Sequence, residues 1–397
     1  MTSLLFMTVI ATEIAYSASI RLRLGAQERD DAKAEALAVS GVNMYRLILV
    51  ASKGLANNPM LATVEQMMGV DLGDALWQWV PFINSGLMRM LFVAGDGASD
   101  SEVTDMAAEG LSDEQRAESR ESSGLERNFL DFDGDFTAEV TDEDRKINVA
   151  GFKATNRVEL QEDPTGVELY GLMSGQRRCP SAFGSDDTSS QNEAAQEDLD
   201  RFFLDRNLDR WELIGNLADW TDADNTRIYD GGSEDVLYNT LPKDPYLPKN
   251  AGFDTLQEIR LVQGWNLDDV WEKFGSSVTV YGKGKVNINT ADCGVIWALL
   301  KSYIEPTPTD DQVYRIMTAM EEQKTLAGSF HDANAFTTFI ASQGVQVDSK
   351  LKSVVTTESK VFRVTSTGEV NQSTVSVEAV LDFSSSQIGK IVFWRVR

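Results

Sequence analysis

Histidine is nearly missing from this 397-residue chain, which has one, His331. A multi-histidine metal site is excluded, and any Ser-His-Asp or Cys-His mechanism would have to run through that residue. Its setting, SFHDANAF, reads as a helix boundary, so a structural or surface role is expected of it. Cysteine is scarce too. Cys179 and Cys293 are too few for a four-cysteine zinc site, and fit either one disulfide in an oxidising compartment or two unpaired thiols. Basic residues are outnumbered, 36 Lys plus Arg against 62 Asp plus Glu, for a formal net charge of −26. Such a surface repels phosphate backbones, so nucleic acid is not an expected partner. It suits an extracytoplasmic protein or a cation binder. Carboxylate pairs abound for that reason alone and carry no weight as the sign of a glycosidase. Apolar residues make up 42%, enough for a sizeable core, and the length fits two or three domains.

Leu4 to Ile20, LLFMTVIATEIAYSASI, is mostly apolar. At 1.5 Å per residue it lies at the lower limit for crossing a bilayer, roughly 17 residues. No basic leader precedes it and no signal-type cleavage site follows it. The expectation is that the chain begins inside a longer anchor. No helix breaker follows. Ala34, Leu37, Ala38, Gly41, Val42, Tyr45, Ile48 and Leu49 recur at spacings of three and four, one face of a helix. A single helix over residues 3–53 would be about 75 Å long, a greasy stem whose far half packs on a globular head.

Asp96 to Asp144 holds 17 acidic and 3 basic side chains and reads as a solvated loop, as does Ser174 to Asp198. Phe136 to Phe152 reads as strand, turn, strand. Leu199 to Phe274 is mainly helical, with Trp211, Trp220, Trp265 and Trp271 as anchors. Ser276 to Val286 reads as a hairpin with glycines in its turn. Asn289 to Gln343 returns to helix, with Asn289, Thr290 and Asp292 as candidate caps. VFRVTSTGEV, STVSVEAVLDF and KIVFWRVR alternate apolar and polar residues and read as an antiparallel meander. The fold class is α+β: a pilin-like long N-terminal helix packed on an antiparallel sheet, with a large inserted all-α domain.

The stem, DEDRKINVAG, LADWTDADN, GGSEDVLYNTLPKDPYLPKNAGFDTLQEIRLVQGW and GKVNINTADCGVIWALL, in that order, resemble general secretion pathway protein K, the minor pseudopilin family of bacterial type II secretion. The resemblance spans most of the chain outside the acidic loops. It implies a stem helix over 1–53, the first part of a pilin-like body over 54–152, an inserted helical domain over 153–345 with a SAM or helix-hairpin-helix-like segment, and closing strands over 346–397. It implies a non-enzymatic protein at the tip of a periplasmic pseudopilus, anchored by one pass in the inner membrane. The expected partners are two other minor pseudopilins (I-like and J-like) and the major pseudopilin, with no small-molecule substrate. Tyr45 and Leu49 on the amphipathic helix are the expected partner contacts, with the protein's own sheet as the alternative they would face. A type IV pilus minor component and a stand-alone calcium-binding cell-surface domain are the rival readings.

Asp219 to Asp235, DWTDADNTRIYDGGSED, places six carboxylates and one Arg in 17 positions. Crowded carboxylates repel one another unless a cation neutralises them, and hard cations such as Ca²⁺ take oxygen ligands. The spacing is not that of an EF-hand. Asp219, Asp222, Asp224, Glu234 and Asp235 are the candidate ligands, and the resemblance strengthens the expectation of Ca²⁺, since relatives carry calcium in the helical domain. Val286 to Ala291, VNINTA, resembles the start of a helix-hairpin-helix, but no basic hairpin follows and the chain is acidic. Helix capping is the expected role of Asn289 and Thr290.

Overall fold

The computed structural model describes residues 2–56, 77–78, 80, 82–87, 133–152, 154–180, 196–240 and 244–397. Of the stretches read as acidic loops, 96–132 and 181–195 lie outside these residues. Helix α1 (Thr2–Ala56) is unbroken, since no proline falls within its 55 residues. At 1.5 Å per residue it is about 80 Å long. Met7, Ile14, Tyr16 and Leu22 in its first half are exposed, while Ala34, Leu37, Ala38, Val42, Tyr45 and Leu49 in its second half are buried. The face drawn from three-and-four spacing is therefore the face that packs, with Ile48 at its margin.

That face lies on a five-stranded antiparallel sheet of β1 (Phe82–Asn84), β2 (Asp135–Asp142), β3 (Val361–Val370), β4 (Ser373–Asp382) and β5 (Lys390–Val396), in that spatial order. Phe362, Val364 and Val370 in β3 and Val377, Ala379 and Leu381 in β4 alternate onto the core under α1, while Val361 and Val380 face the other side and join the second core. Two glycines set how closely helix and sheet approach. A Cβ on Gly41 would fall on Ser366 Oγ, and one on Gly368 would fall on the Ala34 carbonyl oxygen. The tight β3–β4 turn uses Asn371 at a φ of +54°. Its Nδ2 donates to Asp30 Oδ2 of α1 at 2.8 Å, which locks the turn to the helix.

β2 and β3 are neighbours, with Asp142 opposite Phe362, yet residues 143–360 separate them in sequence. This insert has its own core, built by helices α2 (Pro164–Leu172), α3 (Arg210–Thr221), α4 (Asp235–Asn239), α5 (Asp268–Phe274), α6 (Cys293–Tyr303), α7 (Asp310–Ala327) and α8 (Ala333–Ser342). α6 is its axis: Cys293 to Leu300 are all buried, and the Asp292 side chain caps it by accepting from Val295 N. α2 packs against it where Gly171 leaves room, since a Cβ there would sit 2.6 Å from the Ala298 carbonyl oxygen. Cys179 and Cys293 form a disulfide with Cα atoms 5.7 Å apart, pinning the segment after α2 to the start of α6.

The crossing from body to insert is closed by a buried polar knot. Asp142 Oδ2 accepts from Ser359 Oγ (2.5 Å), Thr290 Oγ1 (2.5 Å) and Asn287 Nδ2 (3.4 Å). Asp144 Oδ2 accepts from the backbone N–H groups of Lys360 (2.6 Å) and Val361 (2.9 Å). Glu143, fully buried, binds Lys146, Arg363 and Thr279. The departing strand, the returning strand and the NINT segment are thereby one unit. The polar residues of that segment are spent inside the protein, and Asp292 alone is the side-chain cap of α6.

The hairpin expected at 276–286 does not form. Val278–Thr279 pairs in parallel with Ile147–Asn148, and Val286–Asn287 pairs in parallel with Val355–Thr356. Gly282 and Gly284 do make the turn, with φ of +91° and +74°. The two arms diverge because each adds to a segment flanking one crossing of the insert. His331 is exposed and immediately precedes Asp332, the N-cap of α8.

Candidate metal centre

α3 starts at Asp209, whose side chain accepts from Glu212 N, and runs with Leu213 to Trp220 buried. Asp219 lies in its last turn, 2% exposed. The helix ends at Asp222, and tight polar turns follow. Asp222 Oδ1 accepts from Asp224 N at 3.3 Å and Asp224 Oδ1 from Thr226 N at 2.8 Å. Asp219 Oδ1 accepts from Ile228 N at 2.9 Å, which folds the loop back over the helix end. A second turn through Gly231, at φ +74°, returns the chain to Glu234 at the start of α4.

Three of the five expected ligands meet. Asp219, Asp222 and Glu234 each offer an oxygen within 4.8 Å of the others. Asp224 and Asp235 stand outside this group. Asp224 is exposed and its Oδ1 serves the Thr226 N–H. Asp235 Oδ2 accepts from Asn225 Nδ2 at 3.0 Å, while Asn225 Oδ1 accepts from Asp235 N. The one arginine of the segment, Arg227, points its guanidinium at Glu212 and Asp230 instead. Among the described residues, no lysine or arginine is in a salt bridge with the three clustered carboxylates.

The donor set fits a hard cation. Glu234 is fully buried with neither carboxylate oxygen hydrogen-bonded, and Asp219 Oδ2 is buried and unbonded as well. Asn250, whose Nδ2 donates to the Asp224 carbonyl at 2.6 Å, has its Oδ1 buried without a partner. Buried groups in this condition are costly unless something satisfies them. Burial, then the neighbouring carboxylates, pushes Glu234 up to about 8. Burial is also the main cause that lifts Asp219 to about 7. Asp222 is raised by burial and by Asp224. All the donors are oxygens, which suits Ca²⁺ or Mg²⁺ and not zinc. Asn250 was missed as a sequence candidate. It lies 15 residues beyond the acidic run, and only its place in the loop that returns under Asp224 reveals it.

Tyr45 and Leu49, expected to meet partners, instead face the protein's own sheet. Both are fully buried, and Tyr45 Oη donates to the Val80 carbonyl at 3.1 Å. An apolar helix face beside a sheet is used first for the body's own core. The outward side of this stretch of α1 carries Leu47, 64% exposed.

A long leading helix on an antiparallel sheet, opened between two neighbouring strands to admit a helical domain, defines a pilin-like α+β protein with an inserted domain. Residues 171–283, which lie within the insert and contain the carboxylate cluster, match the family model described as type II secretion system (T2SS), protein K. This is the family whose motifs the sequence resembles. Among solved structures the chain is similar to one from the GspK–GspI–GspJ complex of the enterotoxigenic Escherichia coli type 2 secretion system. The identity is 16% and the TM-score 0.46, over 78% of this chain and 96% of that one. No curated protein matches the chain.

Proposed function

We propose that this chain is a minor pseudopilin of a type II secretion system that caps the pseudopilus tip. The observation that carries the reading is the match of residues 171–283 to protein K, inside a helical domain threaded between adjacent strands of a pilin-like sheet. The stem supplies the anchor. Among the described residues α1 is the one helix long and apolar enough to cross a membrane. In this reading it spans the inner membrane once and the head stands in the periplasm, where the Cys179–Cys293 disulfide is favoured. The insert is larger than the sheet body, so a further subunit stacked above it would collide with it. The protein therefore occupies the end of the fibre and supports export of folded proteins by assembly and not by catalysis.

The partners are counterparts of GspI and GspJ, with the major pseudopilin below them. Ca²⁺ is held by Asp219, Asp222 and Glu234, and the unpartnered Oδ1 of Asn250, whose Nδ2 is bonded to the Asp224 carbonyl, is a further candidate oxygen. The ion relieves the repulsion of the buried carboxylates and fastens α3, the loop after it and the start of α4. Co-purification tests the assembly: two other minor pseudopilins should accompany the full chain one to one to one, and deletion should abolish export of secreted enzymes. Recovery of a monomer free of secretion proteins, or loss of twitching in place of export, would overturn the reading.

A further inference from the structure

β5 ends the sheet, and among the described residues nothing pairs with its outer edge. Its sequence, KIVFWRV, has no proline and is rich in β-branched and aromatic residues. The register with β4 sorts its side chains onto two faces. Ile391, Trp394 and Val396 stand across from Leu381, Ala379 and Val377, which belong to the core under α1. Lys390, Phe393 and Arg395 stand across from Asp382, Val380 and Glu378 on the other face. The α1-side row is apolar yet open to solvent, at 42%, 39% and 42% exposure for Ile391, Trp394 and Val396. The opposite face is basic. Arg363 and Arg397 already share Glu378, so the cations of this corner outnumber its carboxylates in a chain of net charge −26.

We propose that β5 is a docking edge for a β-strand of a neighbouring pilin-like subunit. The incoming strand is apolar on the α1 side and carries carboxylates on the other. Strand addition satisfies the edge's backbone groups, and the two side-chain rows give it specificity. The register shift between Val380 and Leu381, together with Lys390, keeps the edge from accepting any flat strand. A second copy of this chain is a poor occupant. Antiparallel pairing of two β5 strands would set Lys390, Arg395 and Arg397 of one copy near those of the other. Arg46 of α1 binds the carbonyls of Ile388 (2.7 Å) and Gly389 (2.9 Å), so the approach to β5 is held to the helix and presented as a formed surface.

This proposal rests on the minor-pseudopilin reading, and its test separates the two. The full chain in detergent is mixed with the two other minor pseudopilins of its own system. Amide exchange over 390–396 is followed by mass spectrometry, and affinity is measured for the wild type, Trp394→Lys, the pair Lys390→Glu with Arg395→Glu, and Leu326→Lys, an exposed control on α7. The partners should slow exchange over 390–396, and Trp394→Lys should weaken binding by roughly tenfold or more. The charge reversal should weaken it in a salt-dependent way, and the control should leave it unchanged. Binding by the wild type with no change in exchange at 390–396 would overturn the proposal and leave the assembly reading standing. That exchange measurement needs no variant to fold. Dimerisation of the chain through β5 would also overturn it, in favour of a second copy. If the wild type binds neither partner, the assembly reading fails and this proposal with it.

Discussion

In a chelator the head should lose stability as the pH rises from acid to neutral, and Ca²⁺ should remove much of that loss. Asp219 is raised from 3.8 to about 7 and Glu234 from 4.5 to about 8, chiefly by burial and then by their neighbours. Without a cation the folded chain therefore holds protons that the unfolded chain has already released. The contribution of these two groups is greatest below about pH 4 and falls until the folded values are passed. Each group contributes at most about 1.4 kcal/mol per pH unit inside its window. Because the two repel each other, the pair gives less than twice that. Between pH 5.5 and 7 the loss should be about 2–4 kcal/mol, which is of order 5–15 °C in Tm at the usual scaling for domains of this size. Free Ca²⁺ at a hundred times its dissociation constant should return about 2.7 kcal/mol at neutral pH. Asp142 and Glu168, raised by burial to about 7 and about 8, add a pH dependence that Ca²⁺ does not touch. The informative quantity is thus the difference between melts in Ca²⁺ and in chelator. Glu234→Gln should raise the chelator melt at pH 7.5 above that of the wild type and shrink the Ca²⁺ response. Equal melts in Ca²⁺ and chelator at both pH values, or a Glu234→Gln protein less stable than the wild type in chelator, would refute the reasoning.

Asp142→Ala should cost about 3 kcal/mol or more, because it strands Ser359, Thr290 and Asn287 in the buried knot; urea unfolding is the measure. Reducing the disulfide, or Cys293→Ser, should cost up to about 4.8 kcal/mol on chain-entropy grounds for a separation of 114 residues, read as a lower Tm of the head. Tyr45→Ala should destabilise the body by about 3–5 kcal/mol, and binding of partners by the remaining folded fraction should be unchanged.

The stem and the closing meander were legible because their periods are unambiguous: Ala34 to Leu49 repeats at three and four, and Val361 to Val396 alternates. The insert was legible in outline from element order, a helical middle between the stem and the closing strands, but not in where it joins the sheet. Nothing in the periodicity near Asp142 announces that the chain leaves a sheet there and rejoins it at Val361. The triad Asp142, Glu143, Asp144 looked like the end of an acidic loop, and its burial depends on Ser359, Thr290 and Arg363, all remote in sequence. The acidic run at 219–235 pointed to the right segment, but local density of carboxylates does not tell which turn inward. Glu234 turns in because it starts a helix under the loop, whereas Asp224 and Asp235 serve nearby backbone and amide groups. Tyr45 and Leu49 could be read two ways because an apolar stripe has the same spacing whether it covers one's own sheet or a neighbour's; their burial decides for the protein's own sheet.

Since Asp142 and Phe362 face each other across one ladder, the insert hangs from two points a single strand spacing apart. A short turn in place of 143–360 would close β2 onto β3 as an ordinary hairpin. The body needs the helical domain for none of its strand order. Such a graft can grow, shrink or change its cargo of loops without the underlying knob having to refold.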